Sequence, residues 1–135
     1  MLPKPPIILC VDDDPDDQLM VLETIREIDS SIRVACAMNG VEALRYLERT
    51  KYDVGLPSLV LLDINMPLLN GKETLLRLKE DTVLQQVPVV MFTTSSHQED
   101  KVFCLRNGAS AFVTKPFKQA DLLETMKSFL SFLKV

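Results

Sequence analysis

Polar side chains that could hold a cation or a phosphoryl group follow four short apolar runs of the 135-residue sequence. Asp12 and Asp13 come directly after one run, and Asp63 comes directly after another. Thr93 follows a third run, and Lys115, which precedes a proline, follows the last. If these runs are parallel strands of one sheet, their carboxyl ends lie at the edge where such sheets bind ligands. We therefore expect the five residues to be neighbours.

The chemistry of this set predicts a magnesium-dependent phosphoryl acceptor. Three crowded carboxylates raise one another's pKa unless a cation joins them. Hard oxygen ligands in this number, with positions open for water, suit Mg²⁺ better than zinc. Such an ion would keep Asp63 ionised, and a carboxylate can act as a nucleophile that forms an acyl phosphate. Lys115 would supply a positive charge, and Thr93 a hydroxyl donor, for the phosphoryl oxygens.

The acidic segment around the first two carboxylates also has a structural interpretation. Five of the six residues from Asp12 to Asp17 are aspartate. Asp14 precedes a proline and is expected to cap a helix, because proline favours the first helical position. Asp16 and Asp17 are then first-turn acids, which the helix dipole favours. Asp12 and Asp13 lie before the cap and remain candidates for a site.

The elements that must position these residues alternate along the whole chain. The predicted strands are Ile7–Val11, Ile32–Cys36, Leu59–Leu62, Val89–Phe92 and Ala111–Val113. Helices are expected after Asp14, Asn39, Asn70 and Ser96, and from Lys118 to Leu133. This alternation predicts an α/β fold, a doubly wound five-stranded parallel sheet flanked by five helices, of the flavodoxin-like type. The second strand ends without a polar side chain and is expected at an edge of the sheet.

Several local features are predicted together with these elements. Ser96 and Glu99 resemble a capping box at the start of the fourth helix, which would end near Asn107-Gly108. Leucine and isoleucine recur every three residues from Leu19 to Ile28, which predicts one inward helix face. The three cysteines are far apart and form no CxxC pair, so they are expected to be small buried hydrophobes.

The overall composition excludes several classes of protein. The length is that of one domain, and an apolar fraction of 47% is too high for a disordered chain. The net charge is −4 and the basic residues are scattered, so no nucleic-acid-binding surface is expected. The apolar runs are too short to span a membrane, and no signal peptide is recognised. The expectation is one cytoplasmic domain over residues 1–135, with no output domain.

The order and spacing of the motifs resemble those of response-regulator receiver domains of two-component systems. The resemblance covers nearly the whole chain. The matching motifs are Val11-Asp12-Asp13-Asp14-Pro15, Leu62-Asp63-Ile64-Asn65-Met66-Pro67 with Gly71, Phe92-Thr93-Thr94-Ser95 and Lys115-Pro116-Phe117. The region of Asp63 to Asn65, the run from Thr93 to Ser96 and the Glu99-Asp100 pair are most similar to single-domain regulators that partner phytochrome-type histidine kinases.

The resemblance implies a role for each acidic residue of the site. Asp63 would be the phosphoacceptor. Asp13 would bind Mg²⁺ directly and Asp12 largely through water. The backbone carbonyl of Asn65 would complete the protein ligands.

The resemblance also implies a conformational switch. Thr93 and Lys115 would contact the phosphoryl oxygens, and their movement would make room for an aromatic side chain. That switch residue is Phe112, where tyrosine is frequent, so it has no hydroxyl to donate. Thr94, rather than a smaller residue, follows Thr93 and could restrict the inward rotamer of Phe112. The bond between Lys115 and Pro116 is typically cis in the family, which would turn the ammonium inward.

The implied function is a phosphorylation switch rather than an enzyme. A histidine kinase, of the phytochrome type by the finer resemblance, or a histidine phosphotransfer protein would be the donor. A downstream protein target would recognise the surface of the fourth helix, fifth strand and fifth helix. A homodimer through the same surface would shield Phe103 and Phe132. Neither a nucleic acid nor a membrane is expected as a partner.

Two other functions compete with the switch. A phosphorylation-independent adaptor would normally have lost Asp63, Lys115 or the acidic pair, and all are present. A magnesium-dependent phosphohydrolase is suggested by Asp63-Ile64-Asn65, which resembles the nucleophile motif of haloacid-dehalogenase-like phosphatases. Asn65 lacks the second carboxylate that acid–base catalysis needs, so this alternative is disfavoured.

Overall fold

The computed structural model describes residues 5–133, apart from the side chains of residues 131 and 132. The strands are β1 (Ile7–Val11), β2 (Arg33–Ala37), β3 (Leu59–Leu62), β4 (Val89–Thr93) and β5 (Ala111–Thr114). The α-helices are α1 (Pro15–Ile28), α2 (Gly40–Thr50), α3 (Gly71–Glu80), α4 (Gln98–Arg106) and α5 (Gln119–Phe129). Short 3₁₀ helices follow α3 at Leu84–Gln86 and α5 at Leu130–Leu133. The predicted fold class is confirmed.

The strand order places the carboxyl ends of β1 and β3 side by side. All strands are parallel and run in the order β2-β1-β3-β4-β5, so β2 lies at an edge, as predicted. The chain leaves β1 towards β2 on one side and continues through β3, β4 and β5 on the other. This is the reversal of strand order at which parallel sheets bind ligands. Val11 pairs with Leu62, so Asp12 and Asp63 leave adjacent strands at the same level.

Two apolar layers hold the helices against the two faces of the sheet. Leu9, Val60 and Met91 point towards the layer that contains α2, α3 and α4. Ile8, Leu61 and other alternate residues point towards α1 and α5. The central strands are therefore buried on both faces, which explains why their sequences are continuously apolar rather than alternating.

The predicted starts of the first three helices are confirmed. Asp14 Oδ1 accepts a hydrogen bond from the Asp16 amide, with proline as the first residue of α1. Asn39 caps α2 and Asn70 caps α3 in the same way. A side-chain oxygen at this position satisfies an amide that has no partner within the helix.

The predicted start of α4 was wrong. The carbonyl of His97 accepts the first helical hydrogen bonds, from Asp100 and Lys101, and His97 makes no side-chain cap bond. Ser96 is exposed and lies before the helix. The predicted end is confirmed, since Asn107 is the C-cap and Gly108 has a φ of +102°.

Two predictions of burial were also wrong. Leu19 is 52% exposed, while Val21 and Ile25 are buried. A strict spacing of three drifts around a helix of 3.6 residues per turn, so a face that includes Ile25 does not extend to Leu19. Cys36 is exposed because β2 is an edge strand, whereas Cys10 and Cys104 are buried as predicted.

Within residues 5–133, no helix is long and apolar enough to cross a membrane.

Candidate functional site

Three carboxylates meet at the carboxyl ends of β1 and β3. Oxygens of Asp12, Asp13 and Asp63 lie within 4.8 Å of one another. Asp12 and Asp63 are only 4% and 7% exposed, whereas Asp13 faces solvent. The predicted proximity of the three residues is therefore confirmed, with one of them open to water.

Backbone hydrogen bonds fix the two buried carboxylates. Asp12 Oδ1 accepts from the amide of Asp14 at 3.0 Å, and Asp63 Oδ1 accepts from the amide of Ile64 at 2.8 Å. Gln18, which is buried on α1, donates from Nε2 to the carbonyls of Asp12 and Ala37 at 2.7 and 2.9 Å. Gln18 thereby ties the first turn of α1 to the ends of two strands, a role that the sequence analysis missed.

Gly71 allows α3 to approach the backbone of Asp63. A Cβ at this position would lie 2.0 Å from the Asp63 carbonyl oxygen, which is far inside van der Waals contact. The Gly71 amide also donates to the carbonyl of Ile64 at 2.8 Å. The glycine of the sequence motif is thus required by close packing behind the carboxylate.

Lys115 extends into the acidic cluster from the end of β5. Its Nζ lies 2.5 Å from Asp12 Oδ2, 2.9 Å from Asp17 Oδ2 and 3.4 Å from Asp63 Oδ2. Burial disfavours the charged ammonium, but its hydrogen bonds to Asp12 and Asp17 outweigh this effect and raise the pKa of Lys115. Burial raises the pKa of Asp12, and the hydrogen bond from Lys115 opposes that shift.

The peptide bond before Pro116 differs from the expectation. Residues 5–133 contain no cis peptide bond, so the bond between Lys115 and Pro116 is trans. The ammonium nevertheless faces the cluster, because the Lys115 amide donates to the carbonyl of Thr93 at 2.7 Å and three carboxylates attract the side chain. The inward direction of Lys115 therefore needs no cis bond.

Asp17 is a residue of the site that the sequence analysis assigned only to the helix dipole. It belongs to the first turn of α1, as predicted, but its carboxylate also pairs with Lys115. No motif in the sequence indicated this contact, because it joins residues 98 positions apart.

Thr93 begins a chain of hydrogen bonds that reaches α3. Its buried Oγ1 accepts from the amide of Ser95 at 3.2 Å. Ser95 Oγ donates to Asp100 Oδ2 at 2.5 Å, and Asp100 Oδ1 pairs with Lys72 Nζ at 2.5 Å. Thr114 Oγ1 also donates to the Ser95 carbonyl at 3.3 Å. These contacts, none of which the sequence analysis predicted, connect β4 with α4 and α3.

The sequence also matches a known protein family. The family model described as response regulator receiver domain matches residues 8–127. The chain belongs to this family.

Two individual proteins show how similar this chain is to known response regulators. Response regulator Rcp1 of Synechocystis sp. is 28% identical over 130 residues, covering 95% of this chain and 88% of Rcp1. The nitrate/nitrite response regulator protein NarL of Escherichia coli is 34% identical over 123 residues, or 91% of this chain. The chain spans only 54% of the length of NarL.

Solved structures extend the similarity to the whole fold. The phosphorylated cyanobacterial phytochrome response regulator RcpA superposes with a TM-score of 0.87 at 27% identity, covering 96% of this chain and 94% of RcpA. The Mn²⁺-bound form of Rcp1 gives a TM-score of 0.84 at 27% identity, covering 95% of this chain and 94% of Rcp1. The predicted resemblance to receiver domains, and to the regulators of phytochromes among them, is confirmed.

The acidic cluster of this receiver domain fits a hard divalent cation. Asp12, Asp13 and Asp63 each offer a carboxylate oxygen, and the exposure of Asp13 leaves room for water ligands. A cation would also compensate the burial that raises the pKa of Asp12. The donor set contains neither histidine nor cysteine, so it does not resemble a zinc site.

Phe112 and Phe103, which were assigned to switching and association, pack against the same face of the sheet. Phe112 is half-buried and packs against the apolar layer of α2, α3 and α4. Phe103 packs against the same layer, and Lys72 Nζ lies 5.2 Å from the centre of its ring. Phe103 is therefore partly a core residue. The side chain of Phe132 lies outside the described residues, and Thr94 is exposed.

A small apolar cleft opens beside Lys115. Its volume is about 240 Å³, and its walls come from α1, the end of β4 and the segment before α5. Phe117, directly after Pro116, is fully exposed at its rim, and Met20 is 41% exposed. Apolar side chains therefore border the space beside Lys115.

Proposed function

We propose that this receiver domain is a phosphorylation switch whose phosphoacceptor is Asp63. The observation that carries the proposal is the position of the Asp63 carboxylate. It is buried, it lies within 4.8 Å of the acidic pair, and it lies 3.4 Å from the Lys115 ammonium. Phosphoryl transfer depends mainly on positioning and on charge stabilisation, and these neighbours supply both.

The cation in this proposal is Mg²⁺, held by Asp12, Asp13, Asp63 and the backbone carbonyl of Asn65. When bound, it neutralises charge on the phosphoryl group as that group is transferred. The similar regulator Rcp1 has been solved in a Mn²⁺-bound form, which supports a divalent cation as the ligand in this proposal. The chain itself holds the two buried carboxylates in place. The amides of Asp14 and Ile64 donate to Asp12 and Asp63, and α3 packs closely against the Asp63 backbone.

The transfer step forms one bond to phosphorus and breaks another. A carboxylate oxygen of Asp63 attacks the phosphorus of a phosphohistidine while the bond from phosphorus to the imidazole nitrogen breaks. The electron pair of that bond returns to the imidazole of the donor. Water later attacks the phosphorus, which releases inorganic phosphate and restores the carboxylate.

The response to phosphorylation begins at Thr93 and Lys115. The phosphoryl oxygens would draw the Thr93 hydroxyl and the Lys115 ammonium towards Asp63. Thr93 Oγ1 would then leave the Ser95 amide that it now binds. Phe112 would turn into the space that Thr93 vacates, so the surface of α4, β5 and α5 would change.

The proposed phosphoryl donor is a phytochrome-type histidine kinase or a histidine phosphotransfer protein. In this proposal the transfer takes place in the cytoplasm. The similarity to the phytochrome response regulator RcpA supports the kinase type. The output would be binding to a protein target, or self-association through α4, β5 and α5. In this proposal the chain is a switch that accepts one phosphoryl group, not a catalyst of repeated turnover.

The test is intact mass after incubation with acetyl phosphate and Mg²⁺. We expect a single phosphoryl adduct, which Asp63→Asn and removal of Mg²⁺ both abolish. Asp53→Asn, an exposed aspartate away from the site, is the matched control and should keep the adduct. An adduct that persists in Asp63→Asn would refute the assignment. Release of many equivalents of phosphate per chain would instead indicate a phosphohydrolase, and no adduct even with a kinase would indicate an adaptor.

A further inference from the structure

The proposed switch gives no role to the contact between Asp17 and Lys115. Asp17 Oδ2 lies 2.9 Å from Lys115 Nζ, nearer than the phosphoacceptor oxygen at 3.4 Å. The Asp17 side chain is 34% exposed, whereas that of Lys115 is 10% exposed. Within residues 5–133, Asp17 makes no other ion pair.

Asp17 differs from the other two partners of Lys115 in one respect. Asp12 and Asp63 belong to the acidic cluster that could hold a cation, and Asp17 does not. A divalent ion in that cluster would repel the ammonium from Asp12 and Asp63. Asp17 is the one of the three partners that would remain available to Lys115.

The position of Asp17 is fixed by the start of α1. Asp14 caps this helix and proline is its first residue. Gln18, the next residue after Asp17, is buried and donates to the carbonyls of Asp12 and Ala37. The backbone of Asp17 is therefore attached to the ends of β1 and β2, and its carboxylate is held near the cluster.

We propose that Asp17 is a positioning residue that holds the Lys115 ammonium beside the pocket when a divalent cation occupies the acidic cluster. The Lys115 ammonium then loses its contacts with Asp12 and Asp63 but stays beside the pocket, where it can bind a phosphoryl oxygen. This inference rests on the proposed magnesium-dependent function. As a consequence, Asp17 lowers the free energy needed to displace Lys115 from Asp12 and Asp63. Asp17 thereby increases the affinity of the acidic cluster for the cation, and this effect depends on Lys115.

A double-mutant cycle separates this effect from simple attraction between Asp17 and the cation. The four proteins are the wild type, Asp17→Asn, Lys115→Met and the double variant, and calorimetry gives the Mg²⁺ dissociation constant of each. We expect Asp17→Asn to weaken binding about tenfold when Lys115 is present and about threefold or less in Lys115→Met, a coupling typical of contacting residues. Asp16→Asn, which removes the same charge from the same helical turn, should change binding less than about twofold.

The possible outcomes distinguish this inference from the proposed function. Equal factors for Asp17→Asn in both backgrounds would mean that Asp17 acts only as a remote charge, which overturns the inference alone. An Asp17→Asn variant that binds Mg²⁺ as tightly as the wild type would overturn it as well. A wild-type chain that binds no Mg²⁺ would overturn the proposed function itself.

Discussion

Ser95 Oγ donates a 2.5 Å hydrogen bond to Asp100 Oδ2, which joins the segment after β4 to the first turn of α4. Lys72 on α3 pairs with the other oxygen of the same carboxylate. This polar contact matters because α4 is weakly anchored otherwise. Cys104 is its only buried residue, and its N-terminus has no side-chain cap. The Ser95 amide also binds Thr93, so the position of α4 is linked to the residue that is proposed to sense phosphorylation.

The first prediction concerns the anchoring of α4. Asp100→Asn should lower the free energy of unfolding by about 0.5–1.5 kcal/mol, because it weakens the ion pair with Lys72 and the hydrogen bond from Ser95. Amide hydrogen exchange in α4 should become faster than in the remaining helices. Glu99→Gln, a neighbouring exposed acid, is the control and should leave both quantities unchanged. Uniform acceleration over all helices would contradict a local role for Asp100.

The second prediction concerns Gly71. Gly71→Ala should destabilise the protein by about 2 kcal/mol or more, since the new methyl group would collide with the Asp63 backbone and force α3 away. Urea denaturation measures the loss. At Gly55, a Cβ would meet only side chains, at 3.1 Å and beyond, so Gly55→Ala should cost less than about 1 kcal/mol. Equal losses at the two glycines would argue against the close approach of α3 to Asp63.

The third prediction concerns the acidic cluster. Saturating Mg²⁺ should raise the melting temperature of the wild type, because a ligand that binds the folded state stabilises it. Asp13→Asn should fold normally, since Asp13 is exposed, and should lose most of this rise. Thermal denaturation with and without a chelator checks both statements, with Asp16→Asn as the control that keeps the rise. An unchanged response in Asp13→Asn would remove Asp13 from the metal ligands.

The fourth prediction concerns acid stability and Asp81. A hydrogen bond from Lys51 and backbone amides of Leu84 and Val83 lower the pKa of Asp81 from 3.8 to about 2. A folded-state pKa below the unfolded value stabilises the native state above about pH 4, and this contribution is lost as the pH falls towards 2. The stability difference between the wild type and Asp81→Asn should therefore shrink between pH 5 and pH 2.

Urea denaturation across this range gives the measurement for Asp81. Gln85→Ala, which changes an exposed neighbour that carries no titratable group, is the control and should show no such change relative to the wild type. A stability difference for Asp81→Asn that is constant from pH 5 to pH 2 would show that the Asp81 contacts do not depend on its charge.

The sequence by itself determined the fold class and the residues that converge at the edge of the sheet. Asp12, Asp63 and Lys115 were predictable because each follows a run of apolar residues, and parallel strands bring their carboxyl ends together whatever the details of packing. Helix caps such as Asn39 were predictable for a similar reason, since they depend on hydrogen bonds between residues close in sequence.

Only the tertiary structure decided how the helices add to that site. The pairing of Asp17 with Lys115, and of Asp100 with Lys72, joins side chains from elements far apart in sequence. Such contacts depend on the rotation and the exact start of each helix, which a periodic pattern defines only loosely, as the errors at Leu19 and Ser96 demonstrate. Backbone pairing sets where the strands end, but side-chain packing sets which face of a helix meets them.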